Sequence, residues 1–162
     1  MQNDNINEYL SQSFTSFKDW DTTSDVVSFQ VSAAQIIDVL TSLYNEFGYQ
    51  FLTDITAVHY PDRSKEELCV VYHLHNLRTR HRLRIKVYLN IEQPDIPTAT
   101  TLFSAANWME RETFDFFGVQ FIGHPDLTRI LNVEDMDYFP MRKEYPMEDP
   151  TRVDKDDEMF GR

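Results

Sequence analysis

The chain has 162 residues, a formal net charge of −12 and a single cysteine, Cys69. One cysteine excludes an intrachain disulfide and a Cys-x-x-Cys motif, and it cannot supply the thiolates of an iron–sulfur cluster. No run of 18 apolar residues is present, so no segment is predicted to span a membrane. The acidic surface would repel nucleic acid and anionic lipid. The polar N-terminus lacks the pattern of a secretory signal, which favours a cytoplasmic location.

The N-terminal third predicts a helix, a strand and a second helix. The first 20 residues carry weak helical periodicity, and a β-rich run covers residues 25–31. Ser32 and Gln35 have the spacing of a capping box. Apolar residues then recur at helical intervals as far as Gly48, which stands where a helix-terminating glycine is expected.

The middle of the chain predicts a β-sheet. Residues 51–60, 68–75 and 80–89 are rich in β-branched and aromatic residues, and the last two runs should form a hairpin across a short turn. Residues 80–89 alternate between apolar and basic side chains, which is typical of an antiparallel strand with one wet face. A second main helix is predicted from Phe103 to Phe116, closed by Gly118. The fold class is therefore α+β, a small antiparallel or mixed sheet covered by two helices.

The last 31 residues differ from the rest of the chain. We predict an α+β domain over residues 1–131 and an extended, partner-binding arm over 132–162, because prolines there disfavour helix while aromatic residues persist. The arm residues expected to bind a partner are Phe139, Pro140, Arg142, Lys143, Tyr145 and Pro146.

The stretch 105–131 sets charged residues among aromatic ones, which is costly unless the charges are paired. Its candidate structural or interaction residues are Glu110, Arg111, Glu112, Asp115, Gly118, His124, Pro125 and Arg129. The acids could be a general acid/base set or ligands of a hard metal. On a helix, however, residues 110 and 112 point about 200° apart and cannot chelate one ion together. Glu112 and Asp115, three residues apart, could do so, and Arg111 and Asp115, four apart, could pair instead. This geometry favours paired structural or docking charges, with no catalytic residue.

Two further groups of residues have more than one interpretation. His73, His75 and His81 could hold zinc, but the sequence offers no matched fourth ligand. The basic row from Arg80 to Lys86 could meet phosphate or RNA, although only one aromatic residue accompanies it. A solvated face or a contact with an acidic neighbour is the preferred interpretation of that row.

Four pieces of the chain resemble one known family. They are E-R-E-T-F-D-F-F-G-V-Q-F-I-G-H-P-D-L-T-R-I-L at 110–131, Ala106-Asn107-Trp108 before it, F-P-M-R-K-E-Y-P at 139–146, and L-T-D-I-T-A-V-H-Y-P at 52–61. Together they are similar to the thirty-kilodalton subunit family of respiratory complex I, whose bacterial member is the C subunit of NADH-quinone oxidoreductase. Departures at His59, Met141 and Glu144 affect local packing only, and the length suggests a separate subunit instead of the fused form.

The resemblance implies a scaffold and assembly subunit without a cofactor of its own. It would belong to the peripheral arm of a proton-translocating NADH:quinone oxidoreductase, whose FMN and iron–sulfur clusters lie in partner subunits. Its chief partner would be the homologue of the D subunit, the larger hydrogenase-like protein that helps form the quinone site, which we call the quinone-site subunit. Neighbouring iron–sulfur subunits would be further partners, at the cytoplasmic face of the cell inner membrane.

The same resemblance leaves some roles and alternatives open. Arg111 and Arg129 would be the cations that satisfy Glu110, Glu112, Asp115 or Asp126. The alternatives are the equivalent subunit of a membrane-bound hydrogenase or of a ferredoxin- or F420-linked dehydrogenase, and a stand-alone carboxylate- or metal-dependent enzyme.

Overall fold

A computed structural model describes residues 2–145. Three α-helices and seven β-strands follow one another along the chain. In order they are α1 (Gln2–Ser13), β1 (Lys18–Asp21), β2 (Val27–Gln30), α2 (Ile36–Asn45), β3 (Phe51–His59), β4 (Leu68–Asn76), β5 (His81–Leu89), β6 (Asp95–Pro97), α3 (Ala106–Phe117) and β7 (Gln120–Ile122). No helix in this part of the chain is long and apolar enough to cross a membrane.

Five strands form one mixed sheet in the order β1-β2-β5-β4-β3. The predicted hairpin is present, because β4 and β5 pair antiparallel over nine residues from Leu68↔Leu89 to Asn76↔His81. β2 joins β5 in parallel, which makes the sheet mixed. The short strands β6 and β7 form a separate parallel pair. The predicted α+β class is confirmed, and the sequence pattern missed only strands of three or four residues.

The hydrophobic core lies on one face of the sheet. Leu83, Ile85 and Val87 of β5 point into it, as the alternating pattern predicts, and they share one buried cluster with residues of all three helices. Each large apolar side chain buried there contributes roughly 1.5–3 kcal/mol before the entropy of ordering is counted. The opposite face of β5 carries the basic side chains, so this strand is apolar on one side and basic on the other.

The predicted capping box at α2 is wrong. The Gln35 carboxamide oxygen accepts a hydrogen bond from the Ser16 backbone N–H at 3.0 Å, and the Ser16 hydroxyl accepts one from the Ser32 N–H at 3.0 Å. Ser32 makes no side-chain cap, and the chain enters α2 through a 3-10 turn. The Gln35 side chain, which a capping box would have bonded to the backbone of Ser32, is bonded instead to Ser16, 19 residues away. These bonds fasten the loop after α1 to the start of α2.

Helix α3 covers the edge of the sheet. It lies along β3, and the Thr113 hydroxyl is 3.2 Å from the backbone carbonyl oxygen of Ile55 on that edge strand. Covering an edge protects its backbone groups from pairing with another chain. The helix ends as predicted at Gly118, whose left-handed backbone (φ 79°) lets its N–H reach the Phe114 carbonyl at 2.8 Å.

Candidate functional site

Helix α3 separates its acidic residues as the helical angle requires. Glu110 and Asp115 are fully buried, whereas Glu112 is exposed. Arg111 is half-buried beside them. The three carboxyl groups therefore do not converge on one point, and each has its own surroundings.

The Asp115 carboxylate is the centre of a dense hydrogen-bond network. Its Oδ1 accepts hydrogen bonds from Arg129 Nη1 at 2.7 Å and from the side-chain amide nitrogen, Nδ2, of Asn132 at 3.0 Å. Its Oδ2 accepts from three successive backbone N–H groups, those of residues 130, 131 and 132, at 3.1, 2.8 and 2.9 Å. Burial alone would raise the pKa of Asp115, but these donors, led by the backbone of Asn132 and Leu131, hold it well below its usual range. Asp115 therefore stays ionised.

Arg129 extends this network to the chain that follows. Besides Asp115 Oδ1, its guanidinium donates to the Asp115 carbonyl at 2.9 Å and, through Nη2, to the carbonyls of Met136 and Tyr138 at 2.7 and 2.9 Å. It also lies over the Phe139 ring, 5.2 Å from its centre. The predicted ion pair is thus present at Arg129 and Asp115. It fixes residues 129–139 against the C-terminal half of α3.

Residues 139–142 pack on the end of α3. Arg142 Nε donates to the Phe117 carbonyl at 2.7 Å, which caps the helix, and its guanidinium lies 4.6 Å from the centre of the Phe139 ring. A Cβ placed on Gly118 would come within 2.5 Å of that ring and 2.6 Å of Arg142 Nη2. Glycine is required here both for the backbone conformation and for this close approach.

The described part of the predicted arm differs from the expected extended chain. Residues 132–145 form a series of turns held on the chain's own helix, and the backbone N–H of Lys143 reaches His59 Nδ1 at 3.0 Å. Tyr145 packs against Tyr138, with ring centres 4.9 Å apart. Proline did exclude helix. Phe139 packs on Phe114 of α3, whereas Tyr138 and Tyr145 remain among the exposed large side chains. Pro146, also assigned to the arm, lies outside the described residues.

Within the described residues no cation lies within ion-pair distance of Glu110, so its hydrogen-bond partners are neutral groups. Its Oε2 accepts from the Thr98 hydroxyl at 2.5 Å and its Oε1 from the Ala99 backbone N–H at 2.6 Å. Burial raises the pKa of Glu110 to about 7 in spite of these two bonds. Arg111 instead donates to two backbone carbonyls, those of Thr128 and Arg129, each at 3.1 Å. Nothing in the sequence marked Thr98 or Ala99 as partners, because neither carries a charge.

His124 organises the turn after β7. Its Nδ1 accepts a hydrogen bond from the Asp126 backbone N–H at 3.0 Å, so the proton lies on Nε2, which donates to the Asn107 carbonyl at 3.1 Å. The ring thereby joins the turn to the start of α3. Pro125, between these residues, is exposed.

The three strand histidines do not come together. In the β4–β5 pairing His75 lies opposite Arg82, whereas His81 lies opposite Asn76 on the other face of the sheet. His73 Nε2 instead accepts a hydrogen bond from Arg84 Nε at 2.9 Å. Within residues 2–145 no group of three or more histidine, cysteine, aspartate or glutamate side chains is placed to hold a metal ion.

These observations define a class of protein: an α+β domain in which the charged side chains of 105–131 hydrogen-bond to the chain's own backbone. Residues 29–151 match the family model of the respiratory-chain NADH dehydrogenase 30 Kd subunit. The chain belongs to this family.

Individual relatives agree with the family match. The chain is 42% identical to the C subunit of NADH-quinone oxidoreductase from Moorella thermoacetica over 124 residues, which are 76% of this chain and 82% of the relative. Among solved structures it is similar to a trypsin-resistant fragment of Nqo5, with 30% identity, a TM-score of 0.68, and coverage of 78% of this chain and all of the fragment. It is also similar to a chain of an archaeal respiratory membrane complex, the membrane-bound sulfane sulfur reductase, with 26% identity, a TM-score of 0.74, and coverage of 89% and 85%.

Proposed function

We propose that this chain is a scaffold and assembly subunit of the peripheral arm of a proton-translocating NADH:quinone oxidoreductase. In this role it carries no cofactor, and FMN and the iron–sulfur clusters belong to partner subunits. The family match and the names of the relatives support this proposal. The site geometry agrees with it, because each buried carboxylate of α3 has a structural hydrogen-bond partner within the chain.

The observation that carries the proposal is the distribution of exposed hydrophobic side chains. Seven of the nine large ones in the described residues come from 108–145, a segment that we call the docking segment. They are Trp108, Ile122, Leu131, Val133, Tyr138, Met141 and Tyr145. We infer that these side chains form a protein–protein contact, as exposed apolar groups do where they make up one contiguous patch.

The Asp115 network prepares this segment for binding. Three backbone N–H groups bonded to one carboxylate fix the conformation of residues 130–132, so the exposed Leu131 is presented from a held loop. A surface that is ordered before binding loses less entropy on association than a mobile one. The partner we assign to the docking segment is the quinone-site subunit, with neighbouring iron–sulfur subunits beside it. The chain would then be a peripheral protein at the cytoplasmic face of the membrane.

Co-purification from detergent-solubilised membranes tests this assignment. Leu131→Ser in a tagged chain should lower recovery of the quinone-site subunit and the iron–sulfur subunits several-fold, because it replaces an exposed apolar contact with a polar group. Leu77→Ser is the matched control, since Leu77 is 62% exposed and Leu131 64%, but Leu77 lies outside the docking segment. Equal recovery with both variants would contradict the proposal.

The similarity to the sulfane sulfur reductase chain supports a second candidate: the equivalent subunit of another membrane redox complex, such as a hydrogenase or a ferredoxin- or F420-linked dehydrogenase. The same co-purification separates the two. Flavin- and NADH-binding subunits recovered with the chain favour the first proposal, whereas a partner set without them favours the second. Stoichiometric metal and activity in the isolated chain would instead indicate a stand-alone enzyme.

A further inference from the structure

The face of the sheet opposite the core carries a cationic row. Arg82, Arg84 and Lys86 alternate with the buried residues of β5, so their side chains rise from the same side of a central strand about 6.8 Å apart. Within residues 2–145 no carboxylate lies within ion-pair distance of these three groups, and Asp21 acts on Lys86 only at longer range. The row therefore has no direct ion pair, on a chain whose net charge is −12.

Arg84, in the middle of the row, is held in position. Its Nε donates to His73 Nε2 at 2.9 Å, and the other ring nitrogen of His73 is 3.8 Å from Asp54 Oδ2, so the contact runs across β5, β4 and β3. Burial, and then the positive charge of Arg84, lower the pKa of His73 and keep its ring neutral as a hydrogen-bond acceptor. The two terminal nitrogens of Arg84 make no hydrogen bond within the described residues, so the guanidinium fork remains available to a ligand.

We propose that this cationic row is a second docking surface, which binds a carboxylate-rich segment of a partner protein. Charge complementarity carries the assignment: a planar guanidinium with free terminal nitrogens matches a carboxylate, and flanking cations at Arg82 and Lys86 match further acids. The surface lies on the strands and uses no residue of the docking segment. A test of this surface is therefore independent of a test of the function proposed above.

Nucleic acid and anionic lipid fit this face less well. Single-stranded nucleic acid binds through successive open aromatic rings. Tyr88, which continues the row, packs against Tyr60 and lies under the Arg63 guanidinium, and the exposed Phe51 at the β3 edge of this face packs edge-on against His75. A membrane surface would bring anionic lipid close to the remaining surface, where acids outnumber bases. A narrow acidic peptide contacts the row without that repulsion.

Binding of a labelled peptide of alternating Glu and Ser to the full chain tests the proposal by fluorescence anisotropy at low salt. The peptide should bind in a salt-dependent manner, and the matched peptide with Gln for Glu should not. Lys86→Gln and Arg84→Gln should each weaken binding about threefold, the scale of one partly exposed ion pair. Lys65→Gln removes an equal charge from an exposed loop and should leave binding unchanged. Circular dichroism confirms that each variant is folded.

Three results would overturn the proposal. The first is equal weakening by Lys65→Gln, which would indicate general charge attraction. The second is tighter binding of single-stranded RNA or of vesicles containing phosphatidylserine than of the acidic peptide. The third is a large gain in peptide affinity when residues 148–162 are deleted, because the acidic run at 154–158 of this chain would then be the occupant.

Discussion

Replacing Asp115 with Asn tests whether this carboxylate organises the site. The substitution keeps the shape of the side chain but removes the charge, and it places an amide NH2 where one of the two oxygens now accepts bonds. Arg129 loses its buried ion-pair partner. The amide NH2 also removes an acceptor, either from Arg129 and the Asn132 side chain on Oδ1 or from the three backbone N–H groups of residues 130–132 on Oδ2. Breaking one partner of a buried pair typically costs about 3–5 kcal/mol. The variant should therefore lose about that much free energy of unfolding.

Urea denaturation followed by circular dichroism measures this loss. With a slope of about 2 kcal/mol per molar urea, the midpoint should fall by about 2 M. Glu112→Gln is the control, because it removes a carboxylate from the same helix at an exposed position and should leave the midpoint nearly unchanged. Midpoints that fall by similar small amounts in the two variants would refute the central role of Asp115.

The pH dependence of this difference gives a second check. The folded-state pKa of Asp115 lies below the ordinary value of 3.8, so its contribution is present above about pH 4 and is lost as the pH falls further. The gap between the wild type and Asp115→Asn should narrow in that range.

Three further outcomes are expected. Burial raises the pKa of Glu110 from 4.5 to about 7, so its contribution to the free energy of unfolding is full below pH 4.5 and is lost as the pH rises to 7. Across that window the free energy of unfolding of the wild type should fall by about 3 kcal/mol relative to that of Glu110→Gln. Parallel pH curves for the two proteins would contradict this. Gly118→Ala should expose the segment around Phe139 to limited proteolysis, whereas Gly123→Ala, with a similar positive φ of 86° but a nearest neighbour at 3.4 Å, should not. Arg129→Ala should lower the amount of assembled complex several-fold while the complex that does assemble keeps its quinone reductase rate; normal assembly with impaired quinone reduction would count against a scaffold role.

Most of the fold was predictable because its main elements have strong local patterns. The alternation of β5 determines which side chains face the core, and the hairpin with β4 follows from two β-rich runs joined by a short turn. The parallel pairing of β2 with β5 and of β6 with β7 had no local signal, since it depends on crossovers of the whole chain. Strands of three residues are likewise too short to show a period of two.

Within the candidate site, only the contact between oppositely charged side chains was predictable from the sequence. The cost of a buried ion directed attention to the acids of α3 and to Arg111 and Arg129 as their cations. Arg129 pairs with Asp115, whereas Arg111, four residues before Asp115 on the helix, bonds to backbone carbonyls instead. The partners of Glu110 are a hydroxyl and a backbone N–H, and those of Arg111 are backbone carbonyls, groups that every segment of a chain offers. A sequence pattern cannot rank such partners, because their selection depends on which backbone the fold brings near.

The two buried carboxylates of α3 show that the hydrogen-bond donors around a buried carboxyl group determine the direction of its pKa shift. Both are fully buried, yet the pKa of Asp115 falls and that of Glu110 rises. Asp115 accepts five hydrogen bonds, one of them from a cation, whereas Glu110 accepts two from neutral donors. Burial, and then the charge of Glu110, raise the pKa of Tyr72. Near neutral pH the Asp115 network is therefore permanently charged and rigid, while the contact between Glu110 and the residues after β6 changes its protonation state. The loop bearing Leu131 is bonded to Asp115 and not to Glu110, so this loop should keep its shape across the pH range in which Glu110 titrates.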